Sequence, residues 1–209
     1  MISVNNQTII ERLKSRVNTD FYKLINDNNI VLKEKKRNIQ ANNGGAFEIS
    51  VSVPEGFSIL FELEGENKIA FLKIKNCADG VIIHINEDET LSVHIIECKS
   101  KLNDKEWLKV KKQFEGAMLR FKSICGIIDY VPIVKNITVY TAFREDKVTR
   151  EEEATFFLGK GEVGNTNISN LVFDWFDDSI IFMGKKIRHK KLQLSINAEN
   201  IGIGNITLI

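Results

Sequence analysis

Two apolar segments joined by a polar loop dominate the hydrophobic pattern in the middle of the chain. Residues 80–85 and 91–98 are rich in β-branched side chains, and the residues between them, 86–90, are polar. Branched side chains favour strands, and a short polar interruption favours a turn. The pattern therefore predicts a β-hairpin.

The register of this hairpin follows from pairing Ile85 with Leu91 across the loop. Asp79 then lies opposite Glu97 at the open end, where facing Cβ atoms are about 5 Å apart. Because side chains alternate between the two faces of a strand, Asp79, Glu97 and Lys99 share one face. That face is apolar until its last step, where it carries two carboxylates and an ammonium group.

Two carboxylates at the end of a buried strand cost free energy unless a cation neutralises them. Oxygen ligands of this kind suit Mg²⁺ or Mn²⁺. Lys99 could orient a water molecule or stabilise charge on a phosphoryl group. The pattern predicts metal-assisted phosphodiester hydrolysis.

Helical and strand periodicities extend on both sides of the hairpin. Apolar residues recur at helical spacing over 8–25 and over 107–124, and each stretch predicts a helix. Further strands are predicted at 57–63, 68–74 and 137–143, and a charged loop at 144–153. The polar, basic stretch 33–45 predicts a loop in which Lys35, Lys36 and Arg37 either contact a DNA backbone or are simply solvated.

The order Asp79-Gly80, then Glu97-Cys98-Lys99, then Gln113 on the following helix resembles the PD-(D/E)XK nuclease superfamily. The match covers roughly residues 57–144. By this resemblance, Asp79 and Glu97 would bind the metal, with the Cys98 carbonyl as a third ligand. Lys99 would be the catalytic lysine, and Gln113 would support the site or approach the substrate.

The resemblance departs from the usual pattern at two points. Ala78 stands where a proline often precedes the aspartate. The superfamily also often carries a glutamate on a preceding helix, for which Glu48 is the favoured candidate and Glu11 the second. Residues 49–53, which follow Glu48, alternate as a strand does.

The implied fold is α/β, with a restriction-endonuclease-like central mixed sheet flanked by helices and a β-rich C-terminal extension. The expected division of the 209 residues is an N-terminal helix and basic linker at 1–45, a nuclease core at 46–150, and the extension at 151–209 packed on that core. Residues 185–191 predict a basic turn within the extension, either solvated or in contact with phosphate.

Charge is distributed unevenly although the net charge is only +1. Residues 99–122 hold eight basic side chains against three acidic ones, whereas residues 45–97 hold ten acidic against three basic. A basic helix beside an acidic site could bind a phosphate backbone, although lysine runs more often form a solvated face.

Three cysteines are too few and too irregularly spaced for a disulfide framework, and no apolar run is long enough for a signal peptide or a membrane span. We therefore expect a cytoplasmic protein with no membrane partner. His84, His94 and Cys98 fall on the hairpin face opposite the carboxylates. A zinc site there lacks a fourth ligand, so packing under a helix is the preferred interpretation.

The leading expectation is an Mg²⁺- or Mn²⁺-dependent nuclease, with DNA favoured over RNA and with a role in restriction or phage defence. Cleavage of both strands would call for a homodimer. The alternatives are a catalytically inactive nuclease-like fold that binds nucleic acid or a protein partner, and a structural subunit that assembles through the first helix and the C-terminal strands.

Overall fold

The computed structural model describes residues 4–33, 46–64, 73, 75–148 and 174–209. Within these ranges the chain forms two α-helices and eleven β-strands. The helices are α1 (Val4–Arg16) and α2 (Asp104–Ile127). The strands are β1 (Tyr22–Ile25), β2 (Asn29–Lys33), β3 (Phe47–Ser52), β4 (Phe57–Phe61), β5 (Gly80–Ile85), β6 (Leu91–Asn103), β7 (Val134–Lys147), β8 (Ser179–Phe182), β9 (Lys185–Gln193), β10 (Ser195–Ile196) and β11 (Gly202–Thr207).

The larger sheet is mixed and has the strand order β1-β4-β5-β6-β7-β9-β8. Strands β6, β7 and β9 run parallel, and the other neighbours are antiparallel. Parallel neighbours need a crossover connection, and α2 provides it between β6 and β7. The predicted α/β class with a mixed sheet is confirmed.

A second sheet, with the order β10-β11-β3-β2, covers one face of the larger sheet. Its inward residues Ile49 and Val51 belong to a core that also contains Ile82 and Ile96 of the larger sheet. On the other face of the larger sheet, α1 and α2 pack against the residues of β5 and β6 that alternate with Ile82 and Ile96 along the strands. The described residues therefore form three layers, helices, large sheet and small sheet, and the central strands are buried on both faces.

The predicted helix over 8–25 is too long. Helix α1 ends at Arg16, a short 3₁₀ turn capped by Asn18 follows, and Tyr22–Ile25 is a strand. The apolar spacing continues through this region because Tyr22 and Ile25 are buried residues of β1, an edge strand of the larger sheet. They pair there with Phe61 and Ser58 of β4.

Two predicted irregular segments are strands instead. Strand β7 continues through the charged residues 144–147, which were expected to begin a loop. The predicted basic turn at 185–191 is most of β9, which lies between β7 and β8. Charged residues are tolerated in both strands because most of them are exposed at the ends or on the outer side.

Several expectations fall outside the described residues. They include the basic loop with Lys35, Lys36 and Arg37, and most of the predicted strand at 68–74.

Strands β8 and β9 complete the larger sheet, and β10 and β11 belong to the smaller one. None of the described helices has both the length and the apolar character that crossing a membrane requires. The three cysteines are buried free thiols.

The histidines are buried and bonded to hydroxyl groups. His84 Nδ1 lies 2.9 Å from Ser58 Oγ, and His94 Nδ1 lies 3.2 Å from Tyr140 Oη. Both side chains lie on the face covered by the second sheet, so the expected packing under a helix was wrong. Burial lowers the pKa of His94 to about 4 and, together with nearby lysines, that of His189 to about 3.

We predict that His94→Gln flattens the pH dependence of stability. The pKa of His94 falls from 6.5 to about 4 on folding, so the unfolded chain takes up the proton first. The stabilisation is present above pH 6.5 and is lost as the pH falls towards 4. Wild type should lose about 1–2 kcal/mol more than the variant between pH 7 and pH 5, as measured by urea unfolding. Equal losses would contradict a neutral buried His94.

Candidate functional site

The predicted register of the central hairpin is confirmed. Ile85 pairs with Leu91, and the ladder continues to Gly80 opposite Ile96. The loop closes through the Asn86 amide, which donates to the Thr90 carbonyl over 2.9 Å. Asp79 directly precedes and Glu97 directly follows this last described pair, so both lie at the open end of the hairpin.

Glu97 is a carboxylate buried in the layer beneath α2, with only 1% of its surface exposed. Its Oε1 accepts a hydrogen bond from Lys99 Nζ over 2.6 Å. Its Oε2 is also buried and has no hydrogen-bond partner among the described residues. Burial raises the pKa of Glu97, and the nearby charge of Glu64 adds to that rise, whereas Lys99 and the Gln113 side chain oppose it.

Lys99 is the cation of this cluster, and 14% of its side chain is exposed. Its burial would lower its pKa, but the carboxylates of Glu97, Asp79 and Glu106 together outweigh that effect and raise the pKa. Lys99 Nζ also lies 3.9 Å from a carboxylate oxygen of Glu106, in the first turn of α2. The ammonium is thus held between Glu97, in the middle of β6, and the first turn of the helix.

Asp79 is fixed to the neighbouring strand by its own carboxylate. The amide of Cys98 donates to Asp79 Oδ2 over 2.7 Å, across the open end of the hairpin. Burial, the largest cause, raises the pKa of Cys77 to about 12, Arg120 opposes the rise, and the charges of Glu97, Glu64 and Asp79 contribute to it. Three carboxylates therefore act on the same buried thiol.

Helix α2 holds the segments that carry these acids. Gln113 Nε2 donates to the Cys77 carbonyl over 3.3 Å, two residues before Asp79. Arg120, which is 2% exposed, donates through Nη1 to the Leu63 carbonyl and through Nη2 to the Lys75 carbonyl, the latter over 3.0 Å. Gln113 and Arg120 are seven residues apart, so they lie on one face of the helix. The same helix face thus anchors the chain next to Glu64 and before Asp79.

The two expected sources of a further carboxylate lie elsewhere. Glu48 is in β3 of the second sheet, where it forms an ion pair with Lys33 over 2.9 Å. Glu11 is on α1, where its carboxylate accepts from Gln7 over 3.4 Å. The carboxylate whose charge raises the pKa of Glu97 is Glu64.

Sequence reasoning missed Glu64 and Arg120. Glu64 directly follows the apolar run 57–63, so its position at a strand end was visible in the sequence. Arg120 was counted among the basic residues of the helix, and only its burial shows that it binds backbone carbonyls. The Cys98 side chain lies on the other face, in the core between the two sheets.

No three His, Cys, Asp or Glu side chains of the described residues are placed, as they lie, to hold a metal ion. Comparison with models of protein families, with curated proteins and with solved structures gave no match. The chemistry of the Asp79, Glu97 and Lys99 cluster is therefore what indicates a function.

We predict that Arg120→Met destabilises the protein and loosens the site. Two backbone carbonyls lose their charged donor, which should cost about 2–4 kcal/mol in urea unfolding. Cys77, which is 3% exposed, should become reactive towards a thiol reagent under native conditions.

Arg12→Met is the matched control for this change. Arg12 also donates to two backbone carbonyls, those of Ile128 and Asp129, but it does so at a partly exposed position on α1. Its loss should cost less and should leave Cys77 protected. The same Cys77 reactivity in both variants would contradict a local role for Arg120.

Proposed function

We propose that this protein is a divalent-metal-dependent nuclease of the PD-(D/E)XK type that hydrolyses phosphodiester bonds, with DNA as the favoured substrate. The observation that carries the proposal is Glu97. One of its buried oxygens accepts a hydrogen bond from Lys99, and the other accepts none at normal hydrogen-bond distance from the described residues, although the Gln113 side chain is near enough to lower the pKa of Glu97. A buried carboxylate oxygen without a partner is costly unless a ligand meets it.

The topology around Glu97 supports the same proposal. Strands β4, β5 and β6 form an antiparallel meander, and α2 then crosses to β7, which runs parallel to β6. This is the order of strand, hairpin, helix and strand that the resemblance implies. It brings Asp79, Glu97 and Lys99 to one end of the hairpin and Gln113 to the adjoining helix.

The donor set fits a hard cation. Asp79 and Glu97 would hold Mg²⁺ or Mn²⁺, with Glu64 as a further carboxylate and the Cys98 carbonyl as the other expected ligand; both ions favour oxygen ligands and keep bound water. When bound, the ion would act as a Lewis acid and lower the pKa of a water molecule. The buried Oε2 of Glu97, which accepts no hydrogen bond at normal distance from the described residues, is the atom that such a cation would satisfy.

Lys99 and Gln113 would have different roles at this site. Lys99 is held by Glu97 and Glu106, so its ammonium group is positioned to stabilise negative charge on a phosphoryl oxygen. Gln113 binds the Cys77 carbonyl, so it positions the segment that leads into Asp79.

Exposed lysines on α2 would bind the phosphate backbone. Among the eight basic residues of this region, Lys111 is paired with Asp174 over 2.8 Å and Arg120 is buried. Both are therefore committed to internal contacts. Lys105, Lys109 and Lys112 are exposed and follow the site along the helix, where they can contribute to nucleic-acid binding, although Lys109 Nζ also lies 3.9 Å from a carboxylate oxygen of Glu106.

One observation favours the alternative of an inactive nuclease-like fold that binds nucleic acid or a protein partner. No three potential ligands among the described residues are close enough to hold a metal as they lie, and Lys99 already neutralises one oxygen of Glu97. The cytoplasmic location, the role in restriction or phage defence and the homodimer remain predictions.

We predict that the purified protein cleaves DNA with Mg²⁺ or Mn²⁺ and not in chelator. Asp79→Asn and Glu97→Gln should each lower the rate roughly a hundredfold or more, because each removes a charged metal ligand. Cleavage of single-stranded, double-stranded and branched DNA and of RNA would be followed by gel electrophoresis. Inactivity of the wild type on all four substrates would favour the binding alternative.

Two neighbouring glutamates provide a matched pair for this assay. Glu64→Gln should raise the metal concentration needed for half-maximal rate, because it removes a carboxylate whose charge acts on Glu97. Glu62, two residues earlier, forms an exposed ion pair with Lys23, so Glu62→Gln should leave the metal dependence unchanged. An equal change in the metal concentration for half-maximal rate in both variants would contradict a role for Glu64 at the metal site.

We predict that catalysis and binding separate at Lys99 and the helix lysines. Lys99→Met should lower the cleavage rate far more than DNA affinity. The double variant Lys109→Gln with Lys112→Gln should weaken binding and reduce the dependence of log Kd on log salt by about 2. Affinity would be measured by fluorescence anisotropy in chelator. Equal affinity losses in both proteins would contradict this assignment of roles.

A further inference from the structure

A cavity of about 1050 Å³ lies at the other end of α2 from the carboxylates. It is bounded by the C-terminal half of α2, the first residues of β7 and the hairpin formed by β8 and β9. Along the β6–β7 ladder, Glu97 is beside Thr141 at the candidate site, whereas Leu91 is beside Val134 at the cavity. Six strand residues separate the two places, which is about 20 Å.

The interior of the cavity is apolar and its rim is positively charged. The apolar lining includes Met118, Phe121, Phe182 and Ile187. Five cations also line it, and no aspartate or glutamate is among the lining residues: the cations are Lys122, Lys135, Lys185, Lys186 and Arg188.

Only part of this positive charge is compensated by neighbouring acids. Lys135 forms an exposed ion pair with Asp88 over 2.8 Å. The described residues provide no ion pair of this kind for Lys185, Lys186 or Arg188, all of which are exposed. Like charges gathered around a low-dielectric concavity attract an anion. The favoured occupant is therefore negatively charged.

We infer that this cavity binds a nucleoside phosphate, either free or as one nucleotide of a single strand. An inorganic anion alone would leave the apolar interior unused, and an uncharged ring compound would leave the cationic rim unused. A nucleotide combines a planar base, which can lie against apolar and aromatic side chains, with phosphates that lysine and arginine bind. The volume is close to the upper end of the range for small-molecule sites.

The methionines allow binding here to be observed directly. Of the three methionines in the chain, Met118 and Met183 line the cavity, and Met1 is the first residue. With ¹³C-methyl-methionine protein in chelator, ATP should shift the signals of Met118 and Met183. Met118→Leu and Met183→Leu would assign the signals. Working without metal makes the result independent of the proposed nuclease site.

Affinity measurements with paired variants test the chemistry. The double variant Lys186→Gln with Arg188→Gln should raise the Kd for ATP about tenfold or more, because two rim cations are lost. Lys14→Gln with Lys23→Gln removes two charges from exposed positions on α1 and β1 and should change the Kd little. Adenosine and inorganic triphosphate should each bind more weakly than ATP. If a short single-stranded oligonucleotide shifts the same methionine signals, the nucleotide that occupies the cavity can come from a nucleic-acid strand.

Three outcomes would overturn the inference. ATP and the oligonucleotide could both leave the Met118 and Met183 signals unchanged. The rim and control variants could lose affinity equally. An acidic peptide of alternating glutamate and leucine could shift the two signals where ATP does not, which would assign the cavity to a protein partner. Circular dichroism of each variant would establish that it is folded.

Discussion

Burial of the Glu97 carboxylate costs free energy that the protein recovers only in part from Lys99. The ion pair satisfies one oxygen, and the second oxygen lies against the helix layer without a partner among the described residues. Two further contacts order the hairpin end around this buried charge. Asp79 is fixed to the Cys98 amide, and Lys99 is shared among several carboxylates.

Helix α2 connects the stability of the core to the geometry of the site. Its apolar side chains, among them Trp107, Phe114 and Phe121, fill the space between the helix and the sheet. On the same helix, Gln113 and Arg120 donate to backbone carbonyls of residues that lie outside the described strands. A shift of the helix that disturbed core packing would therefore also move the acids relative to one another. Positions that look purely structural are expected to affect activity for this reason.

Local geometry was predictable from the sequence, and long-range assembly was not. The hairpin register could be predicted because a polar loop and alternating apolar residues leave few ways to pair Ile85 with Leu91. Helix α2 could be predicted because its apolar spacing is long and regular. The strand at Tyr22–Ile25 was not predicted because a short edge strand and the last turns of a helix can show the same spacing of buried apolar residues.

The location of Glu48 shows the same limit at the level of the site. Its position in a second sheet depends on β3 pairing with β11, and nothing near Glu48 in the sequence specifies that partner. Glu64 was overlooked because its relevance depends on Arg120, 56 positions later, which holds the preceding carbonyl. Burial turned Arg120 from an expected surface cation into an internal donor.

The parallel pairing of β3 with β11 has a consequence for how the chain acquires its structure. Phe47 pairs with Gly202, so 155 further residues must be synthesised after Phe47 before β3 can pair with β11, and such distant contacts form slowly. Until then, the apolar face of the large sheet that carries Ile82 and Ile96 lacks part of its cover. A nascent chain in this condition exposes a β-branched surface, which makes it prone to aggregation. We therefore expect any need for a chaperone during synthesis to depend on how late the second sheet forms, and not on the hairpin that carries the acids.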